Sequence, residues 1–246
     1  ENQPEAKKIY VPQELDVEMV STLLHTEVVH AYRGKKRQLM ELAQKNAEKR
    51  LQDQFYLLRK RQTFKEDALT ELSNQLGVSV FERIEIFDIS HLSGNFTVAS
   101  CVVFDGGEAN KSAYRRYRLA DKQDDTASMQ EVLYRRYFRL LSEGKQMPDL
   151  VVLDGGKPQL SAAKEIFDSL NLDLNYCSLV KDDRHRTRAL MLPDGSEVDV
   201  DPHSALFALL VQMQDEVHRF AISYHRRLRS KAMTKSILDE VSGIGE

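Results

Sequence analysis

Arg83-Ile-Glu-Ile-Phe-Asp-Ile89 and Phe96-Thr-Val-Ala-Ser-Cys-Val-Val-Phe104 are the two runs that decide the fold. Both are rich in β-branched and aromatic residues, which suit a pleated, buried surface. Ser93, Gly94 and Asn95 lie between them, and Asp105-Gly106-Gly107 follows the second; these are turn residues at strand ends. The pair therefore reads as a hairpin. Ala113 to Leu119 (AYRRYRL) alternates apolar and basic residues, as a half-exposed third strand would. The three runs make an antiparallel meander.

Downstream the texture alternates. Met129, Val132, Leu133, Tyr137, Leu140 and Leu141 share one face of a helix predicted over Thr126 to Leu141. Leu150-Val-Val-Leu153 is wholly apolar, as a strand covered on both faces must be. Gly155 and Gly156 turn the chain into a helix from about Pro158 to Leu170, with proline where a missing N–H costs nothing. A fifth strand, Tyr176 to Val180, a hairpin about Pro193-Asp194-Gly195 and a long helix from about Pro202 to Arg229 complete the order. Three antiparallel strands followed by strand–helix alternation is the order of a ribonuclease-H-like fold, a mixed five-stranded sheet flanked by helices; a doubly wound sheet alternates from the start. The crossover rule sets the Leu150 strand beside the first strand and parallel to it.

Upstream, Lys36 to Leu76 reads as a helical arm. Met40, Ala43, Ala47, Leu51, Phe55 and Leu58 recur at steps of three and four, Ala68, Leu69, Leu72 and Leu76 resume the stripe, and Gly77 supplies a stop. The chain thus divides into a helical arm or linker over 1–80, a ribonuclease-H-like α/β domain over 81–235, and a new element beginning at 236–246. Both ends read as cut: Glu1 to Lys8 is polar and shapeless, and Ser236 to Glu246 stops as a motif starts.

Bulk properties exclude some classes. The chain has 246 residues, 41% of them apolar and 30% charged, with a formal net charge of −3. Two cysteines, Cys101 and Cys177, make no disulfide framework or metal spacing and read as core residues. The longest apolar stretch, Ala205 to Met213, is far short of the roughly 20 residues of a membrane span, and no signal-peptide run opens the chain. A soluble cytoplasmic protein without a membrane partner is expected. A DNA-binding protein is usually basic, so any nucleic-acid site here must be a local basic patch.

Asp88 lies near the carboxyl end of the first strand and Asp154 ends the fourth. As parallel neighbours these strands deliver both carboxylates to one sheet edge, where ligands of open α/β sheets collect. Like charges so close repel unless a cation lies between them, and oxygen-rich sites suit Mg²⁺ or Mn²⁺. Each aspartate is also an ordinary turn former. Asp124 and Asp125 precede a helix, where an N-cap is the plain alternative to a site role. His218 flanks the stripe Leu206, Leu210, Met213, Val217, Phe220 and Tyr224, beside Gln214 and Ala221; it is either a boundary residue or a ligand aimed at the carboxylates. Lys157 is within reach of phosphate, although no P-loop spacing is present. Lys181, Arg184, His185, Arg186 and Arg188 form one basic cluster; Arg226, Arg227, Arg229, Lys231 and Lys235 form a second. They are solvated faces or a phosphate track.

Five strings, in order, resemble the UvrC family: Phe87-Asp-Ile-Ser90, Gln123-Asp-Asp-Thr-Ala-Ser-Met129, Val152-Leu-Asp-Gly-Gly-Lys157, Lys181-Asp-Asp-Arg-His-Arg-Thr187 and Gln214-Asp-Glu-Val-His-Arg-Phe-Ala221. Ile237 to Gly245 is similar to the opening of that family's helix-hairpin-helix module. The resemblance implies a metal-dependent endonuclease making the 5′ incision at lesions in nucleotide excision repair. Its catalytic Asp-Asp-His set maps onto Asp88, Asp154 and His218, and a further aspartate onto Asp125. Damaged double-stranded DNA and UvrB in a UvrB–DNA complex are the implied partners, with Lys157, Arg184, Arg186 and Arg226 as candidate phosphate contacts. The family's 3′-cutting module and its UvrB-contacting segment are not in this stretch. Pro158 departs from the family's usual glycine and stiffens the turn after Asp154. The rival reading is a nuclease-like module that only binds DNA or a partner.

Overall fold

A computed structural model describes residues 6–78, 81–92, 96–119, 124–182 and 187–238, with the side chains of Leu92, Phe96 and 224–238 left out. The chain forms two compact units, residues 1–62 and 63–246. In the first, strands β1 (Lys8–Val11) and β2 (Glu27–His30) pair in parallel, joined by helix α1 (Val17–Leu24). Asp16 caps α1, accepting from the amides of Glu18 and Met19. This small β-α-β unit stands ahead of the expected helix, and its four-residue strands are too short to show a period in the sequence.

Helix α2 (Gly34–Leu76) runs 43 residues across both units. It ends as anticipated at Gly77, whose φ of +67° is the left-handed conformation of a helix stop. Its apolar stripe has two fates. Ala68 and Leu72 are fully buried, whereas Leu51, Phe55 and Leu58 are each more than half exposed. A periodic stripe identifies the face a helix can bury; it does not supply the neighbour that buries it.

The second unit is built on an eight-stranded sheet. It contains β3 (Arg83–Leu92), β4 (Phe96–Asp105), β5 (Glu108–Ala109), β6 (Arg115–Leu119), β7 (Leu150–Leu153), β8 (Asn175–Lys181), β9 (Thr187–Met191) and β10 (Glu197–Asp199). The order is β10-β9-β8-β7-β3-β4-β5, with β6 also on β4. β3 pairs antiparallel with β4 and parallel with β7, and β7 pairs parallel with β8. The expected five, β6-β4-β3-β7-β8, thus form the ribonuclease-H-like centre. The Pro193-Asp194-Gly195 hairpin joins the same sheet: β9 lies antiparallel on β8 and covers an otherwise open edge.

Helices α3 (Asp125–Ser142) and α4 (Lys157–Ser169) pack together on one face, and α5 (Ala205–Leu238) crosses β3 and β4 on the other. All four β7 residues are buried, as a strand covered on both faces requires. Cys101 and Cys177 are buried free thiols in the core. α5 buries Leu206, Leu209, Leu210, Met213 and Val217, each contributing about 1.5–3 kcal/mol on leaving water. No described helix is long and apolar enough to cross a membrane.

Candidate metal centre

The register fixes the two carboxylates. Phe87 is opposite Leu153 in the parallel ladder, and the Asp154 amide donates to the Phe87 carbonyl at 2.9 Å. Asp88 and Asp154 therefore leave their strands side by side at one edge. His218 reaches them from α5, where Gln214 and Ala221, one turn to either side, are buried. Ligand atoms of Asp88, Asp154 and His218 all lie within 4.8 Å of one another. His218 Nε2 is 2.6 Å from Asp154 Oδ2 and 3.9 Å from Asp88 Oδ1.

Several contacts aim α5. The Tyr114 hydroxyl donates to Glu216 Oε1 at 2.9 Å, and its ring meets Phe220 edge-on. The Arg116 guanidinium lies 3.7 Å over the Phe220 ring and donates to that residue's carbonyl. Thr187 on β9 donates to buried Gln214 at 2.8 Å. His218 is thereby gripped on both flanks.

The charges are uneven. Burial pushes the Asp88 carboxyl above its ordinary value, against donation from Ser90 Oγ at 2.6 Å. Burial acts the same way on Asp154, but donation from His218 and from Lys181 outweighs it and leaves that carboxyl below its ordinary value. Lys181 Nζ stands 2.6 Å from Asp154 Oδ1. Donation to Asp154 holds the His218 imidazolium above its usual range. Two buried carboxylates and an imidazole are a donor set that fits a hard divalent cation, which would relieve the burial cost borne by Asp88.

The other candidates are placed differently. Asp124 is the N-cap of α3, accepting from Thr126 and Ala127. Asp125 pairs with His91 Nε2 at 2.6 Å, and is outside the three-residue group. His91 follows Asp88 by an odd number of residues, so the alternation of β3 points it toward the face carrying α3. Lys157 opens α4 exposed to solvent, lining a depression with Leu160, Ser161, Lys164 and the 193–195 turn. Arg184 and Arg186 lie outside the described residues, as does the side chain of Arg226.

A family model described as the UvrC RNase H endonuclease domain matches residues 73–222. The chain belongs to the UvrC family. A second model, described as the UvrC ribonuclease H-like domain, matches residues 1–54. A UvrABC system protein C of Ligilactobacillus salivarius (strain UCC118) is 42% identical over 242 residues, covering 97% of this chain and 41% of that relative. The chain thus spans about two-fifths of the length of this curated relative. Among solved structures, human ENDOV aligns at 11% identity and a TM-score of 0.35, over 61% of this chain and 86% of that one. Ciona intestinalis Endonuclease V, in complex with a 24mer DNA, aligns at 11% identity and 0.31, over 57% and 77%.

Within this UvrC-family site, Lys181 and Ser90 are the residues that the sequence left without a role at the carboxylates. Lys181 reads as one member of a basic run and the first residue of a motif string, and Ser90 only as part of a motif string. Neither carries a periodic or spacing signal; each is found by the partner it touches. Pro158 occupies the first turn of α4 and is not one of the three donor residues.

Proposed function

We propose that this chain is the metal-dependent DNA endonuclease region that makes the 5′ incision in nucleotide excision repair. The observation that carries the reading is the meeting of Asp88, Asp154 and His218, drawn from residues as much as 130 apart in sequence, with all ligand atoms within 4.8 Å. Family membership supports a nuclease. Damaged duplex DNA is the proposed substrate and a UvrB–DNA complex the proposed partner. We assign the nuclease domain to 81–235, the arm to 1–80, and 236–246 to the start of a helix-hairpin-helix module.

Asp88, Asp154 and His218 would hold one or two divalent cations, Mg²⁺ or Mn²⁺. When bound, such ions polarise the scissile phosphate and acidify the attacking water. The remaining work falls to the chain. His218, whose pKa is raised by donation to Asp154, is placed to pass a proton to the leaving oxygen or, with Nε2 deprotonated, to complete the coordination. Lys181 keeps Asp154 ionised and adds a positive charge beside the phosphate site. Ser90 orients the Asp88 carboxylate. Asp125 is proposed as an outer acidic group, acting through water. Lys157, Arg184, Arg186 and Arg226 are proposed phosphate contacts that carry no sequence information.

The test is incision of a lesion-bearing duplex already nicked on the 3′ side, with UvrB and Mg²⁺ or Mn²⁺ present. The chain is compared with its Asp88→Ala and His218→Ala forms. A metal-dependent 5′ cut abolished in both variants supports the proposal. No cut from any form, repeated in the full-length protein, would leave a module that only binds DNA or a partner.

A further inference from the structure

A second charged feature lies at the opposite end of the sheet. Arg83, Arg115, Arg135, Arg136, Arg139 and Lys145 line a pocket of about 360 Å³ between β6, α3 and the start of β3. Glu143 is the one carboxylate in that lining. Arg116 also borders it, but its guanidinium is engaged with Phe220 and Ser223 of α5.

The cations here are held in fixed positions and only partly neutralised; Arg83, for one, stands 3.7 Å from Asp105 and 3.8 Å from Glu85. The Arg115 guanidinium is fixed by two backbone carbonyls, of Ser112 at 3.0 Å and Tyr114 at 2.7 Å, neither of which carries a full charge. Glu143 is shared between Arg139, at 2.7 Å, and Lys145, at 2.5 Å. Their donation, Lys145 first, drives its carboxyl down to about 2. Arg135 donates to the Arg118 carbonyl and lies over the Tyr117 ring as well as meeting Glu131. Arg136 is anchored below by buried Glu85. In a chain of net charge −3, this concentrates fixed guanidinium forks against the general field.

We propose that this pocket is a second, non-catalytic site that grips the phosphate backbone of the substrate nucleic acid away from the cut, a role that rests on the nuclease reading. Planar guanidinium forks match phosphate oxygens in pairs, and they do so without reading bases. Arg83 stands five positions before Asp88 on β3, roughly 17 Å along the strand at about 3.3 Å per residue, and the odd separation turns its side chain to the α3 face, away from the carboxylates. A backbone leaving the carboxylates has to round the sheet to reach the pocket, so the path is more than about five nucleotides of one strand at 3.4 Å each. The pocket is thus placed to hold a flank while the carboxylates hold the scissile phosphate. An acidic protein segment is the other ligand of similar charge. The spread of forks over a strand, a helix and a loop favours a rigid, evenly charged backbone instead.

The experiment uses the whole chain and its Arg115→Ala/Arg139→Ala double variant, both positions being exposed. Fluorescence anisotropy in chelator follows binding to two duplexes across a salt series, one extending fifteen base pairs beyond the cleavage position and one only three. Each cation withdrawn from a phosphate lowers the slope of log K against log salt by about 0.9, so a fall of about 1–2 is expected on the long duplex and none on the short. Cutting of the short duplex in Mn²⁺ is expected to be unchanged, and the melting temperature likewise. An unchanged slope on the long duplex overturns the proposal, and so does an equal fall on both duplexes. An unchanged slope together with abolished binding of polyglutamate overturns it in favour of an acidic protein partner. If the parent binds but does not cut, with UvrB present and in the full-length protein alike, the nuclease reading fails while the slope still decides the pocket.

Discussion

Replacing Asp88 by Asn should have opposite effects on stability with and without metal. Asp88 is 7% exposed, and burial already pushes its carboxyl above the ordinary value. Its charge faces that of Asp154 across no more than 4.8 Å. Two such charges repel by about 3.5 kcal/mol at an effective dielectric near 20. His218, at 3.9 Å, and Lys181 offset most of this. Asn keeps the shape and the acceptor for Ser90 while removing the charge. A gain of about 1 kcal/mol is therefore expected in chelator, at the low end for neutralising buried charge. For a chain of this size that raises the melting temperature by about 2–4 °C.

Metal reverses the order. At a free Mn²⁺ concentration of about 100 times the dissociation constant, the parent gains about 2.7 kcal/mol. A variant short of one carboxylate ligand, weakened about a hundredfold, gains only about 0.4 kcal/mol at the same concentration. The parent should then melt about 3–5 °C above Asp88→Asn, having melted below it in chelator. Differential scanning fluorimetry in chelator and across a Mn²⁺ series reads both orders. The same order in both conditions, or a parent indifferent to Mn²⁺, would refute the placing of a cation between these carboxylates.

Four further outcomes are expected. His218→Ala should lower the incision rate by about 10²–10⁴ while changing melting little, as measured by single-turnover cutting of a 3′-nicked duplex. Lys181→Met, which removes the counter-charge at 2.6 Å from Asp154, should reduce the rate more than substrate affinity; an effect confined to affinity would assign Lys181 to phosphate binding alone. Arg136→Ala strands Glu85, which is fully buried, and should cost about 3–5 kcal/mol in denaturant unfolding, whereas replacing both partners by apolar residues should cost far less. Pro158→Gly should leave cutting intact and shift stability by no more than about 1 kcal/mol, since Pro158 supplies no donor group and stands in the first turn of α4.

Much of the sheet was legible because its strands carry local signals. Leu150–Leu153 is apolar on both faces, and the strand found there has those bounds. The 83–105 hairpin was marked by turn residues, and α5 by its stripe. The β-α-β unit at the start was not legible, because four-residue strands show no period. Nor did periodicity show that the α2 stripe is buried at Leu72 and exposed at Phe55. Of the site, motif strings pointed to Asp88, Asp154 and His218. They also pointed to Asp125, whose 2.6 Å partner is His91 on β3.

What the sequence determined by itself is the identity and order of the main strands and helices of the second unit and the residue types able to hold a cation, because hydrophobic period, turn chemistry and charge are properties of short stretches. Tertiary structure alone decided which of those residues meet. His218 joins the carboxylates because Tyr114, Arg116 and Thr187 grip α5 at that rotation. Lys181 reaches Asp154 because β8 lies parallel beside β7. The arginines of β6 and α3 share one pocket because the meander folds back under that helix. Contacts between residues tens of positions apart depend on register and packing, and no short stretch encodes either.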